Sequence, residues 1–220
     1  MTKLVTIFGG SGFIGRYIAH RMAKQGWRVR VAVRRPNEAI FVKTYGVVGQ
    51  VEPILCNIRD DASVEEALNG ADAVVNCVGI LIEDKKNTFA AVQHGGAERI
   101  GRLSKKLGIK SLVHISAIGA DENSSSIYSS TKAKGENAIV SNFPNAVILR
   151  PSIVFGQEDQ FFNRFAKMAT IGPVLPLIGA STRFQSVFVD DVAKAAEAAL
   201  LGSVPKGIYE LGGPEIKDFR

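Results

Sequence analysis

The stretch FGGSGFIGRYIAH, Phe8–His20, holds four glycines in residues 9–15 and continues as an amphipathic helical pattern. It follows the apolar run Leu4–Phe8, which predicts a strand, and its glycines satisfy both G-x-x-G-x-x-G and G-x-G-x-x-G. In such a turn one glycine permits the tight bend, another lets the backbone approach a pyrophosphate, and the last lets helix and strand pack closely. The helix would direct its free N–H groups and dipole at the phosphates. The stretch therefore predicts the first βαβ unit of a dinucleotide-binding fold.

The rest of the chain alternates short apolar runs with longer patterns of helical period. Helices are predicted near 13–25, 62–69, 88–107 and 129–141, and strands at Leu4–Phe8, Arg28–Val33, Val51–Leu55, Ala73–Cys77, Ser111–Ile115 and Ala146–Leu149. After Arg150 a strand (Phe184–Val189), a helix (Asp191–Leu201) and a last strand (Gly207–Leu211) are predicted. Because right-handed crossovers place helices on both faces of such a sheet, the pattern predicts a doubly wound, parallel α/β fold.

Length and composition bound the other possibilities. The 220 residues, 46% of them apolar, predict one domain over 1–220, with 157–185 and 207–220 forming part of a small C-terminal lobe. The ending GGPEIKDFR looks like a helix cut off at its first turn, so we expect this lobe to be truncated. No leader peptide or apolar run of roughly 18 residues is found, which predicts a soluble, cytoplasmic protein.

Charge and cysteine usage exclude several classes of function. The net charge of +6 comes from scattered basic residues without interleaved aromatics, so we expect no nucleic-acid partner. Cys56 and Cys77 end two strand-like runs, which favours reduced, buried thiols over a disulfide or a metal site.

His114 lies alone in a strand and is expected to be structural. The group Phe161, Phe162 and Phe165 fits an amphipathic stripe, and either core packing or a substrate pocket would explain it.

The residues after the second strand bear on which dinucleotide binds. An Asp or Glu there would hold a ribose 2′-OH, whereas an Arg would hold a 2′-phosphate. The chain has Val33-Arg34-Arg35-Pro36, with no acid. Guanidinium forks suit phosphate, so Arg34 and Arg35 predict NADP(H). The alternative is two solvated arginines beside a site that also takes NAD(H).

A second constellation is Tyr128-Ser-Ser-Thr-Lys132. On a helix the two end residues share a face, so the Lys132 ammonium would lie near the Tyr128 phenol and favour its phenolate. Such a tyrosine can exchange the proton that accompanies hydride transfer at a carbonyl. Taken alone, however, Y-x-x-x-K is frequent in any helix.

Further blocks follow in order: VVNCVGIL (Val74–Leu81), HISAIGAD (His114–Asp121), YSSTKAKGE (Tyr128–Glu136), LRPSIVFG (Leu149–Gly156), VFVDDVAKA (Val187–Ala195) and YELGGPE (Tyr209–Glu215). With them the whole chain resembles the extended and atypical short-chain dehydrogenase/reductases. More narrowly, it resembles the nucleotide-binding accessory subunits of respiratory complex I, of the alpha-subcomplex subunit nine type, and their bacterial relatives. The resemblance implies a Rossmann sheet in the order 3-2-1-4-5-6-7.

The resemblance also implies roles for individual residues. Tyr128 and Lys132 would be catalytic, with Ser116 a weaker candidate, and Lys132 would also bond the nicotinamide ribose. The implied cofactor contacts are Gly9, Gly10, Ser11, Gly12, Phe13, Ile14, Gly15, Arg34, Arg35, Asn57, Ile58, Cys77, Val78, Gly79, Lys132, Pro151, Ser152, Ile153 and Val154.

Two departures from the family pattern stand out. Asn57 stands where much of the family has an Asp that accepts a hydrogen bond from the adenine amino group. Its amide oxygen would accept that hydrogen bond instead. Ala117 stands where active members carry a Ser or Thr, and Ser116, one residue earlier on a strand, would point to the opposite face. Loss of one oxyanion donor typically slows such reactions about 100- to 1000-fold.

The resemblance therefore implies an NADP(H)-binding protein with a structural or assembly role and little turnover. Its partners would be the dinucleotide and respiratory complex I subunits, with peripheral association at the inner membrane left open. Two alternatives remain: an active NAD(P)H-dependent reductase or epimerase using Tyr128 and Lys132, and a redox-sensing nucleotide-binding regulator.

Overall fold

A parallel sheet of seven strands forms the centre of the computed structural model, which describes residues 2–170 and 181–218. Its order is β3-β2-β1-β4-β5-β6-β9, as predicted. The strands are β1 Leu4–Phe8, β2 Arg28–Val33, β3 Val51–Leu55, β4 Ala73–Asn76, β5 Ser111–Ile115, β6 Val147–Pro151 and β9 Gly207–Leu211. The doubly wound α/β fold is thereby confirmed.

Helices cover both faces of the sheet, so the central strands β1 and β4 are buried on both sides. The helices are α1 Phe13–Lys24, α2 Asp61–Leu68, α3 Gly95–Lys106, α4 Ile127–Asn142, α5 Phe162–Ala169 and α6 Val189–Leu200. One core cluster lies between the sheet and α1 and α6, and the other lies under α2, α3 and α4. Strand residues alternate between the two: Val113 belongs to the first cluster and Leu112 to the second.

Three features differ from the predicted elements. A 3₁₀ stretch, Pro36–Tyr45, follows β2, and a π-helical turn, Ala90–His94, precedes α3. The predicted strand Phe184–Val189 is wrong in extent: only β8, Val187–Phe188, is strand, and it pairs with the unpredicted β7, Val154–Phe155. Strands of two residues carry no periodicity, so pairing between distant segments creates them.

The proposed C-terminal lobe is described only in part. Within it, α5 begins at Phe162, and Phe184 forms a bridge with Lys217. Residues 171–180 and 219–220 of the predicted lobe lie outside the described residues. The division of the chain into a domain and a lobe stays a prediction.

Candidate dinucleotide-binding site

The glycine turn connects β1 to α1 at the carboxyl edge of the sheet. Gly9 has a φ of +75°, and a Cβ on it would lie 3.3 Å from the Cys77 carbonyl carbon. A Cβ on Gly15 would lie 2.8 Å from the Cα of Gly10, so the start of the helix packs directly on the turn. Gly12 occupies the N-cap position of α1 but has no side chain that could accept a hydrogen bond there, and the first turn carries no acid. The turn is therefore a side-chain-free cradle facing an uncapped helix N-terminus, which fits a pyrophosphate.

A cleft of about 450 Å³ begins at this turn and crosses the ends of β1 to β4. Ten of the predicted cofactor residues line it: Gly9, Ser11, Gly12, Arg34, Arg35, Asn57, Ile58, Cys77, Val78 and Gly79. The strand ends meet there because parallel strands place their carboxyl termini on one edge.

The other predicted cofactor residues do not form walls of the cleft. Gly10 and Gly15 are buried in the turn, whereas Phe13 and Ile14 begin α1. The run Pro151–Val154 leads from β6 to β7 and is tied to neighbouring strands, since Ser152 N–H donates to Leu211 and Ile153 C=O accepts from Val187. Their contacts with a cofactor stay predictions.

Both arginines after β2 are exposed on the cleft wall, but they differ in their partners. Arg35 Nη1 lies 3.2 Å from Glu38 Oε1. Arg34 has no ion pair within residues 2–170 and 181–218. Glu38 also lines the cleft, and our sequence reasoning missed it because it looked for an acid directly after the strand. The (i, i+3) spacing from Arg35 was the available signal.

Asn57 lines the cleft, and its amide oxygen is already bonded within the chain, while its contact with an adenine stays a prediction. Its Oδ1 accepts hydrogen bonds from the Arg59 N–H at 3.2 Å and from Arg59 Nε at 3.3 Å. Both lone pairs of the amide oxygen are thereby used, so the side chain offers its NH₂ group to a ligand as a donor. Arg59, which the sequence analysis did not consider, also lines the cleft and reaches the Lys86 carbonyl.

Tyr128 and Lys132 both lie on α4, and their catalytic roles stay a prediction. Lys132 is buried, and its Nζ donates to the Ile115 carbonyl at 2.9 Å. Burial lowers the pKa of Lys132 to about 8, with Glu136 and Cys77 opposing that shift. Burial raises the pKa of Tyr128, whose ring packs edge-on against Phe89 with centroids 6.0 Å apart. Tyr128 is thus held as a neutral phenol.

Ser116 belongs to a buried network away from Tyr128. Its hydroxyl donates to Glu136, and Arg150 holds both oxygens of that carboxylate, with Nη2 to Oε2 at 2.7 Å. The Ser116 and Glu136 side chains are both buried. Sequence reasoning missed Glu136 and Arg150, since a buried ion pair between a helix and a strand leaves no local pattern. The network orders the end of β5, beside Ala117.

Cys77 and His114 lie close enough to Lys132 for its charge to act on both. Burial raises the pKa of the Cys77 thiol to about 12, and Lys132 acts against this shift. Burial and then Lys132 lower the pKa of His114 to about 3. Neither ring nitrogen of His114 has a hydrogen-bond partner in the part of the chain that the structure describes. Both side chains are therefore neutral at pH 7.

A second cavity, of about 480 Å³, opens beside β7, β8 and α5. Its walls include Phe155, Phe162 and Phe184, so the aromatic group predicted near residue 161 is partly a cavity wall. Phe161 packs against Phe162 and Phe165 with ring centroids 5.1 and 5.3 Å apart. The three rings are half-buried and belong to neither core cluster of the described residues, so the group packs on itself while Phe162 lines the cavity.

Comparison with known proteins settles the family. Residues 5–212 match the NAD dependent epimerase/dehydratase family. The chain belongs to this family. Membership bears out the short-chain dehydrogenase/reductase resemblance and, together with the cradle, makes a nicotinamide dinucleotide the class of cofactor.

Similar proteins include mitochondrial subunits. NADH dehydrogenase (ubiquinone) 1 alpha subcomplex subunit 9 of Arabidopsis thaliana is 36% identical over 97% of this chain, which spans 54% of that protein. The NADH-ubiquinone oxidoreductase 40 kDa subunit of Neurospora crassa is 34% identical over 96% of this chain, which spans 56% of it. The chain thus spans about half the length of these relatives.

Another relative carries an enzyme's name, and solved structures share the fold. Ceramide reductase of Caulobacter vibrioides is 28% identical over 94% of this chain, which spans 64% of that protein. The enzyme WbmH of Bordetella bronchiseptica, solved with NAD⁺, superposes with a TM-score of 0.86 at 19% identity, over 100% of this chain and 79% of WbmH.

No helix within the described residues is long and apolar enough to cross a bilayer. In that part of the chain, no cluster of His, Cys, Asp and Glu could hold a metal ion.

Proposed function

We propose that the cleft binds NADP(H), with the pyrophosphate on the glycine turn and the 2′-phosphate on Arg34 and Arg35. The observation that carries this proposal is a single cleft joining Gly9 and Gly12 to two exposed guanidinium groups at the end of β2. Arg34 is the principal phosphate ligand in this proposal, because Arg35 shares its charge with Glu38. A 2′-phosphate would draw Arg35 away from that carboxylate, since it carries the larger charge.

The cofactor would also contact residues on the next strand ends. We assign Asn57 and Ile58 to the adenine and Cys77–Gly79 to the riboses. Pro151–Val154 would border the nicotinamide. The bound cofactor would supply or accept hydride, whereas this chain would supply binding, orientation and a proton at Tyr128.

We infer that turnover is slow and that binding serves structure or assembly. Three observations support this: Ala117 offers no hydroxyl, Ser116 is bonded to Glu136, and Lys132 is bonded to the Ile115 carbonyl. Tyr128 would be left as the single donor to a developing oxyanion, with a pKa raised by burial. The relatives named as respiratory NADH dehydrogenase subunits make complex I the partner that we propose, with peripheral association at the inner membrane.

A second candidate function is an NAD(P)H-dependent reductase or epimerase. One observation favours it: the Lys132 Nζ lies behind Gly79, a residue of the cleft wall, since a Cβ on Gly79 would lie 3.7 Å from it. A buried ammonium in that position could bond a ribose hydroxyl, and its positive charge would favour the phenolate form of a nearby tyrosine. The relative named ceramide reductase is consistent with this candidate.

Mass spectrometry of the ligand that copurifies, followed by turnover assays, separates the two candidates. We expect NADPH in the protein and no oxidation of it by a panel of carbonyls and quinones. Turnover that Tyr128→Phe abolishes would establish the reductase instead. The control is Tyr209→Phe, which removes a hydroxyl bonded to the Pro205 carbonyl far from the cleft. A protein that binds no pyridine dinucleotide at all would refute both candidates.

A further inference from the structure

The Arg16 guanidinium holds the glycine turn from outside. Its Nη2 donates to the Ser11 carbonyl at 3.0 Å and its Nε to the Gly12 carbonyl at 3.3 Å. The Gly12 carbonyl shares its peptide with the Phe13 N–H at the start of α1, so its direction fixes that of this N–H. The Ser11 carbonyl shares its peptide with the Gly12 N–H, which donates to the Gly9 carbonyl at 2.9 Å and so closes the glycine turn. The guanidinium also lies over the Phe41 ring, 4.9 Å from its centroid, which limits its movement.

The remaining nitrogen of Arg16 is held by a residue from the far end of the sequence. Nη1 lies 3.4 Å from Glu158 Oε1, and the other oxygen of that carboxylate accepts the Tyr17 hydroxyl at 2.9 Å. The Arg16 and Glu158 side chains are 25% and 32% exposed, so water screens this pair only in part. Burial and Glu158 raise the pKa of Tyr17 to about 12, so the phenol remains a donor.

The turn that presents Glu158 is held by internal hydrogen bonds and packs on the same part of α1. Buried Asp159 accepts from the N–H of Gly156 at 3.2 Å and of Phe162 at 2.7 Å, which closes the turn and caps α5. A Cβ on Gly156 would lie 3.2 Å from the Phe13 ring, in the first turn of α1. Two separate contacts therefore join the 156–159 turn to the glycine turn.

We propose that Arg16 is a positioning residue for the proposed pyrophosphate site and that Glu158 fixes its guanidinium, so that docking of the 156–159 turn and dinucleotide binding are coupled. This inference rests on the proposed function. With Glu158 in place, one planar fork contacts two loop carbonyls and a carboxylate, a geometry that an ammonium cannot reproduce. Coupling of this kind is reciprocal, so a bound dinucleotide would also hold the 156–159 turn in place.

The test uses two ligands that share the adenosine end. NADPH contains the pyrophosphate, whereas 2′-AMP keeps the adenine and the 2′-phosphate without it. By calorimetry we expect Arg16→Lys and Glu158→Gln each to raise the Kd for NADPH about tenfold and to leave the Kd for 2′-AMP within about twofold. The double variant should lose no more affinity for NADPH than the weaker-binding single variant, since both substitutions act through one contact. The control is Glu122→Gln, a change on an exposed loop before α4.

The outcomes separate this inference from the proposed function. Unchanged NADPH affinity in both variants, equal loss for the two ligands, or additive losses in the double variant would overturn the inference while wild-type binding stands. Wild-type protein that binds neither ligand would overturn the proposed function and the inference with it.

Discussion

Single side chains decide how tightly the cleft would bind the adenosine end of a dinucleotide. Arg34 is exposed at the end of β2, whereas Arg35 is paired with Glu38, and all three line the cleft. An arginine that is already paired with a carboxylate gains less from a new phosphate than one that is not. The two neighbouring arginines are therefore not equivalent, which their sequence alone did not indicate.

Replacing these arginines tests the choice of cofactor. We expect Arg34→Ala to raise the Kd for NADPH about tenfold or more, and Arg35→Ala to have a smaller effect, because each charge-assisted hydrogen bond contributes roughly 1.5 to 3 kcal/mol. The Kd for NADH should change little. Arg28→Ala, at the opposite end of β2, is the control. Equal losses for NADPH and NADH in titrations would refute the phosphate assignment.

His114 makes the stability of the fold sensitive to acid. Its pKa is about 3 in the folded chain and near 6.5 when unfolded, so the unfolded state binds more protons between these values. The stability that neutral His114 contributes is fully present above pH 6.5 and falls as the pH drops toward 3. Between pH 7 and pH 5 the loss is on the order of 2 kcal/mol. Urea titrations should show that His114→Leu removes this part of the pH dependence. An unchanged slope would contradict it.

Elements rather than single residues explain the buried network beside the site. Helix α4 supplies Glu136, β6 supplies Arg150, and Ser116 follows β5. A buried carboxylate is stable only with its partners in place, so the network fixes how α4 lies against the sheet. The same helix carries Tyr128 and Lys132, whose positions therefore depend on it.

Two carboxylates on Arg150 give a matched pair of variants. Glu136 is buried, whereas Glu210 is 59% exposed and lies 3.8 Å from the same guanidinium. We expect Glu136→Ala to lower the free energy of unfolding by roughly 3 to 5 kcal/mol, because it leaves Arg150 without its buried partner. Glu210→Ala should cost less than about 1 kcal/mol. Chemical denaturation measures both, and similar costs would show that the network contributes little.

At the scale of the whole molecule, a parallel sheet gathers distant segments into one site. The strands β1 to β4 end at one edge, so turns separated by up to 68 residues in sequence, at Gly9 and Cys77, meet in the cleft. A ligand that bridges these turns binds the folded chain alone and must stabilise it.

The melting temperature tests this linkage. At a free NADPH concentration of 100 times the Kd, the stabilisation is about 2.7 kcal/mol, which for a chain of this size raises Tm by roughly 5 to 10 °C. NADH at the same concentration should give a smaller shift, and the Arg34→Ala, Arg35→Ala double variant should abolish the difference. Equal shifts with the two cofactors in thermal scans would contradict NADP(H) preference.

The order of the sheet was predicted from the family resemblance. The sequence by itself determined the parallel α/β class, the glycine turn and the class of ligand. These features depend on local patterns, namely apolar periodicity and a glycine spacing that only a tight turn before a helix requires. The tertiary structure decided which groups are left for chemistry. Glu38 engages Arg35, Arg59 engages the Asn57 oxygen, Glu136 engages Ser116, and the Ile115 carbonyl engages Lys132. The Glu38 and Arg59 contacts are local in sequence, whereas the Glu136 and Lys132 contacts join α4 to the sheet. The strength of all four depends on distance and burial in three dimensions, which the sequence pattern does not give.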